Sequence, residues 1–127
     1  MGIMKLDGLR VLVVEDEALI AMLIEDTLAD LGCLVVGVAP TLEEALQRIS
    51  SLTFDAAILD VNLNGDDSYP AAMDLARRRI PFVFSTGYGA VAIPEPLKGV
   101  PFVVKPFEAS DLERVLTAVL QEPREAN

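Results

Sequence analysis

The side chains best suited to chemistry in this sequence fall at the ends of short apolar runs. Glu15 and Asp16 follow the run at 9–14, Asp60 follows 56–59, Ser85 and Thr86 follow 82–84, and Lys105 follows 102–104. If these runs are neighbouring strands pointing one way, acids, hydroxyl and ammonium converge on one pocket. Carboxylates held close together repel, so either their pKa values rise or a cation joins them. Magnesium is the natural candidate, because it prefers oxygen ligands and is often held by one or two carboxylates plus phosphate. A carboxylate can also attack phosphorus and become an acyl phosphate. Phosphoryl transfer needs neutralised equatorial oxygens more than acid–base machinery. Magnesium, the Lys105 ammonium and the Thr86 hydroxyl can supply that.

Each residue alone has a plainer reading. Glu15 and Asp16 can serve the start of a helix, which benefits from negative charge there. Thr86 can belong to a turn, and Lys105 can be a surface lysine beside a turn proline. Asp60 is harder to explain away, since it directly ends Ala56-Ala57-Ile58-Leu59, where an acid needs a partner. Jointly the case is stronger, because the groups fall at the ends of different strands. The sequence has no histidine, which removes Ser-His-Asp triads, Cys-His pairs, His-ligated zinc and phosphohistidine. Cys33 stands alone, so no internal disulfide forms. Its place in Cys33-Leu34-Val35-Val36 reads as packed core.

The elements that must position these groups alternate between strand and helix. Strands are expected at 9–14, 34–38, 56–59, 82–84 and 102–104. Ile20, Leu23, Ile24, Leu28 and Leu31 recur at helical spacing after the first strand. Gly32 is placed to close that helix. Thr41 to Glu44 forms a capping box opening a second helix. A polar loop is expected over 62–68, and Pro70 suits the first turn of a third helix. Gly87, Gly89, Pro94, Pro96, Gly99 and Pro101 oppose a regular helix between the last two strands, so a loop or short turn is expected there. Leu112, Val115, Leu116 and Val119 mark a final helix. This alternation predicts an α/β fold, a parallel sheet with helices on both faces. The expected strand order is 2-1-3-4-5, the flavodoxin-like winding, with ligands beyond the carboxyl ends of the strands.

The 127 residues fit one domain. A hydrophobic fraction of 52% leaves little of it to disorder. The expected division is an N-terminal extension over 1–8, the domain over 9–121 and a polar tail over 122–127. No apolar run reaches the roughly 18 residues that span a bilayer. The first residues lack the sections of a signal peptide, so a cytoplasmic protein without a membrane partner is expected. The net charge of −10 argues against a nucleic-acid partner. The basic cluster Arg77-Arg78-Arg79 reads as a solvated helix end, where cations favour the dipole.

With these residues in place, the sequence resembles the receiver domain of bacterial two-component response regulators over about residues 9–121. The matching motifs are Val11-Leu12-Val13-Val14-Glu15-Asp16-Glu17, Ala57-Ile58-Leu59-Asp60-Val61-Asn62-Leu63, Phe84-Ser85-Thr86-Gly87 and Val104-Lys105-Pro106-Phe107. The resemblance implies that Asp60 accepts a phosphoryl group from a histidine kinase or a histidine phosphotransfer protein. It implies magnesium held by Asp16, Asp60, Glu15 (directly or through water) and the backbone carbonyl of Asn62. Thr86 would hydrogen-bond the phosphoryl group and shift inward, and Lys105 would pair with a phosphoryl oxygen. Phe102 falls at the switch aromatic, and the Lys105–Pro106 bond would be cis. The protein would then be a switch rather than an enzyme, with at most slow self-dephosphorylation. It would act as a monomer or weak homodimer on a downstream protein.

Three features depart from the commonest receiver pattern. Glu15 replaces the more frequent Asp, and Asn62-Leu63-Asn64-Gly65 replaces the common Met-Pro-Gly. Thr86-Gly87-Tyr88-Gly89 and its proline-rich sequel resemble a receiver subgroup with a reduced fourth helix. Tyr88 is there either a mobile aromatic or a packed loop anchor. Two other readings stand beside the receiver. A haloacid-dehalogenase-like phosphohydrolase would carry a second Asp two positions after the nucleophile, where this chain has Asn62. A phosphorylation-independent pseudo-receiver usually lacks one of the acids, the hydroxyl or the lysine.

Overall fold

The structure is a computed structural model that describes residues 6–87 and 93–121. The elements run β1 (Arg10–Val14), α1 (Ala18–Asp30), β2 (Leu34–Ala39), α2 (Leu42–Ser51) and β3 (Ala56–Asp60). They continue with β4 (Asn62–Leu63), β5 (Asp66–Asp67), α3 (Tyr69–Arg77), β6 (Phe82–Thr86), a 3-10 turn (Glu95–Leu97), β7 (Phe102–Val104) and α4 (Ala109–Gln121). The main sheet has the order β2-β1-β3-β6-β7. Every pairing in it is parallel. With the small β4–β5 pair left aside, this is the expected 2-1-3-4-5 winding. The direction of winding reverses between β1 and β3, which opens a crevice at their carboxyl ends.

Strand alternation divides the core between two faces. Leu12, Val14, Ala57, Leu59, Phe82 and Phe84 pack against α2 and α3 through Ala45, Ile49, Ala72 and Leu75. Val11, Val13, Ala56, Ile58, Val83 and Val103 pack against α1 and α4 through Ile24, Leu28, Leu112 and Leu116. Apolar side chains on both faces account for the nearly uninterrupted hydrophobic runs. The same alternation fixes which residues beyond the strand ends face α1 and α4.

Local chemistry ends the helices where the sequence changes character. Gly32 closes α1 with φ 90°, and a Cβ there would meet Asp7 Oδ1 at 2.6 Å. The Cys33 N–H donates to the Leu28 carbonyl at 2.9 Å, completing the cap. The Thr41 hydroxyl accepts from the Glu44 N–H at 3.1 Å and starts α2. Arg77 and Arg78 at the end of α3 both pair with Asp74, so the basic cluster is a helix end with its own counter-ion.

Residues 62–68 are more ordered than the expected polar loop. Asn62 pairs with Asp67 and Leu63 with Asp66 in a two-stranded hairpin. Asn64 and Gly65 form its turn with φ of 57° and 98°. Both central residues of such a turn need positive φ, and Asn-Gly is the pair that tolerates it best. Between β6 and β7 the only regular element among the described residues is the 3-10 turn, whose buried Leu97 joins the α2/α3-side core. Tyr88 and Gly89 lie outside the described residues. No helix among the described residues is long and apolar enough to cross a membrane.

Candidate functional site

The ladder hydrogen bonds run on past the strand ends and hold the site residues at one edge. The Glu15 N–H donates to the Ala39 carbonyl at 3.0 Å, and the Lys105 N–H donates to the Thr86 carbonyl at 2.8 Å. Val14 is level with Leu59, and Asp60 is level with Ser85. Glu15, Asp60 and Lys105 each follow, two residues on, a core residue that faces α1 and α4 (Val13, Ile58 and Val103). Period-two alternation therefore turns all three to that side.

Lys105 is the hub. Its Nζ lies 2.9 Å from Asp60 Oδ2 and 2.9 Å from Glu15 Oε1. The Asn62 N–H donates to Asp60 Oδ1 at 3.2 Å, and the Glu17 N–H donates to Glu15 Oε2 at 3.2 Å. Glu15 and Asp60 are buried, 2% and 7% exposed. Burial, helped by the charge of Asp60, raises the Glu15 pKa to about 7 against the lowering effect of Lys105. For Lys105, burial acts to lower the pKa, but the nearby carboxylates of Asp60 and Glu15 outweigh it and the pKa stands above its ordinary value.

Among the described residues the acids outnumber the one ammonium that faces them. Glu15, Asp16 and Asp60 each offer a carboxylate oxygen, all within 4.8 Å of one another. Glu15 Oε1 lies 2.9 Å from the Lys105 ammonium, and that buried oxygen has no hydrogen-bond partner among the described residues. A hard divalent cation fits this donor set of carboxylate oxygens. It would give that oxygen a second partner and offset the excess negative charge.

The other sequence candidates fall at different distances from this hub. Thr86 ends β6 one residue past Ser85 and is 4% exposed. The Lys105–Pro106 peptide is cis. Asn62 and Pro106 line a cleft of about 620 Å³ with Asp16, Asp60 and Lys105. Phe102 does not line it; this residue starts β7, pairs with Phe84 and is 46% exposed. Ile20, Leu23, Ile24 and Thr27 of α1, with Phe107, form the apolar wall of the cleft. Sequence reasoning assigned Ile20, Leu23 and Ile24 only to a helix. Their spacing with Thr27 at i, i+3, i+4 and i+7 does mark one helix face.

Comparison with known proteins agrees with the geometry. The family described as "Response regulator receiver domain" matches residues 11–117. SdrG from Sphingomonas melonis Fr1 superposes with a TM-score of 0.80 at 43% identity, over 89% of this chain and 97% of that one. SdrG is also known in a BeF3-activated conformation, which superposes with a TM-score of 0.76. The anti-anti-sigma factor PhyR from Bartonella quintana gives 0.78 at 30% identity, over 91% of this chain and 49% of that one. The transcriptional regulatory protein PdtaR of Mycobacterium tuberculosis is 33% identical over 91% of this chain and 58% of its own length. The chain thus spans about half the length of the curated relatives it matches. With a parallel sheet in the receiver order, the acids and lysine at its carboxyl edge and a family match across nearly all of β1 to α4, the chain belongs to the response regulator receiver domains.

Proposed function

We propose that Asp60 accepts a phosphoryl group and that the chain works as a phosphorylation switch. The observation that carries this reading is the Lys105 ammonium, 2.9 Å from both Asp60 and Glu15 in a buried cluster of acids. Mg2+, held by Glu15, Asp16, Asp60 and the Asn62 carbonyl, supplies charge neutralisation at the phosphoryl oxygens when bound. An Asp60 carboxylate oxygen attacks phosphorus as the donor's bond to phosphorus breaks. The electron pair of that bond leaves on the donor, on nitrogen for phosphohistidine or on oxygen for an acyl phosphate. Lys105 orients the Asp60 carboxylate beforehand and pairs with a phosphoryl oxygen afterwards. Asn62 is an amide and takes no proton, so it offers no base for rapid hydrolysis of the acyl phosphate. Regulation rather than turnover follows.

The phosphodonor is a histidine kinase or a histidine phosphotransfer protein. Leu19, Met22 and Leu23 of α1 are exposed, and Leu23 lines the cleft that Asp60 also lines, which gives such a partner an apolar surface on this helix. Thr86 and Phe102 carry the response, Thr86 by closing on the phosphoryl group and Phe102 by changing its exposure. The BeF3-activated conformation of SdrG supports a switch of this kind. The test is intact mass after incubation with Mg2+ and a small acyl phosphate. Wild type gains one phosphoryl group, lost in EDTA, and Asp60→Asn gains none. An unlabelled wild type, or an equally labelled Asp60→Asn, refutes the proposal.

A further inference from the structure

The turn of the β4–β5 hairpin holds both partners of an intramolecular reaction. The side-chain amide of Asn64 carries an electrophilic carbon, Cγ, and the backbone nitrogen of Gly65 is the nucleophile next to it along the chain. Bonding between them closes a succinimide ring and releases ammonia. A side chain on the following residue crowds this closure, and glycine has none. Asn64 and Gly65 are both exposed, so water and dissolved base reach them. Space around Gly65 is open, since a Cβ built there would meet nothing within 4 Å. The neighbouring asparagine, Asn62, precedes Leu63, whose branched side chain is 1% exposed and crowds the same closure.

One contact opposes the reaction at Asn64. The Gly65 N–H donates to the side-chain oxygen Oδ1 of Asn62 at 2.8 Å. The Gly65 nitrogen is planar, so in the succinimide it carries Cγ in the direction where it carried hydrogen. Asn62 Oδ1 stands in that direction. It therefore occupies the place that Asn64 Cγ must take, and it stabilises the proton that must leave. The pairings of Asn62 with Asp67 and Leu63 with Asp66 hold the turn between them.

We infer that Asn64 is a deamidation site on the rim of the cleft, and that the Asn62 side chain restrains it. Dissolved base takes the Gly65 amide proton, and the freed electron pair forms the bond to Asn64 Cγ. The bond from Cγ to the amide nitrogen breaks, and that nitrogen leaves as ammonia with a proton from water. Water then opens the succinimide at either carbonyl, leaving aspartate or isoaspartate at position 64. The net change is one water consumed and one ammonia released. Asn64 lines the cleft with Asp16, Asp60 and Lys105, so either product adds a carboxylate beside the acids. Isoaspartate also adds a backbone atom to a two-residue turn. None of this depends on the phosphoryl-acceptor reading of Asp60.

The experiment ages the full chain at neutral pH, folded and in urea, and follows position 64 by peptide mapping. Anion exchange reports the added charge. Folded Asn62→Ala converts faster than folded wild type by about threefold to tenfold, the scale of one lost hydrogen bond. In urea the two convert at the same rate, because the contact exists only in the fold. Asn62→Asp keeps an acceptor and converts no faster than wild type. Thr41→Ala weakens the distant α2 cap and stays within about twofold of wild type, which separates loss of the contact from general loosening. The inference is overturned if position 64 stays intact in folded Asn62→Ala, or if that variant only matches wild type. It is equally overturned if the Asn62→Ala effect persists in urea, if Thr41→Ala reproduces it, or if Asn62→Asp converts as fast as Asn62→Ala.

Discussion

Replacing Lys105 by methionine keeps most of the side-chain volume and removes the charge. Two contacts of 2.9 Å are lost, one to Asp60 and one to Glu15. Each is worth about 6 kcal/mol gross at an effective dielectric of about 20. Relief from desolvating the ammonium offsets much of this, and breaking a buried pair typically costs a net ~3–5 kcal/mol. Glu15 then sets the pH dependence. Its folded pKa of about 7 lies above its ordinary 4.5. An acid raised in this way contributes stability at low pH that is lost as pH rises from 4.5 through 7. Without Lys105 the Glu15 pKa moves higher still, so the loss continues further up the pH scale. The destabilisation by Lys105→Met should therefore be larger near pH 8.5 than near pH 6, by about 1.4 kcal/mol for each unit the Glu15 pKa moves. Urea unfolding of both proteins in EDTA at the two pH values measures this. A loss that is the same at both, or a variant more stable than wild type near pH 8.5, refutes the reasoning.

Three further outcomes follow from other parts of the structure. Cys33 is buried and its thiol is pushed up to about 11, chiefly by burial and also by Asp7; a thiol reagent near pH 8 should label it far more slowly in the folded protein than in urea, and equal rates would contradict the packing. Arg79 holds φ 63° at the residue after the α3 cap, the position Gly32 holds after α1, so Arg79→Gly should raise stability by about 0.5–1 kcal/mol in urea unfolding. Leu23 is 64% exposed on the cleft wall, so Leu23→Glu should change stability by under about 0.5 kcal/mol. It should slow phosphoryl transfer from a histidine phosphotransfer protein, compared in a kinetic assay, while leaving labelling by a small acyl phosphate unchanged.

The fold was legible where burial and alternation spoke together. Runs such as Ala56-Ala57-Ile58-Leu59 are apolar on both sides because two helical layers cover them, and such a run reads as a strand without help from its neighbours. Gly32 and Thr41 announced helix ends because their chemistry is local. The hairpin at residues 62–67 is also a local signal, since Asn64-Gly65 is a strong short-range turn pair. It passed for a loop because the flanking Asn62, Asp66 and Asp67 are polar. What sequence alone could not give is the distance that makes the site. Lys105 and Asp60 are 45 residues apart, on strands that β6 separates, and their meeting is visible only once strand order and side-chain direction are known together. The cleft wall on α1 was hidden for the same reason. An apolar face on a helix looks like ordinary core until its neighbours are in place.

The central claim is that one carboxylate, Asp60, carries the phosphoryl group. Reductive trapping tests it most directly. Wild type is labelled with an acyl phosphate and Mg2+, treated with borohydride, digested and sequenced by mass spectrometry. An aspartyl phosphate is reduced to homoserine, which records the site in the sequence itself. The account predicts homoserine at position 60, with Glu15 and Asp16 unchanged and no conversion in EDTA. Conversion at either of those acids instead, or labelling that leaves position 60 intact, would contradict it.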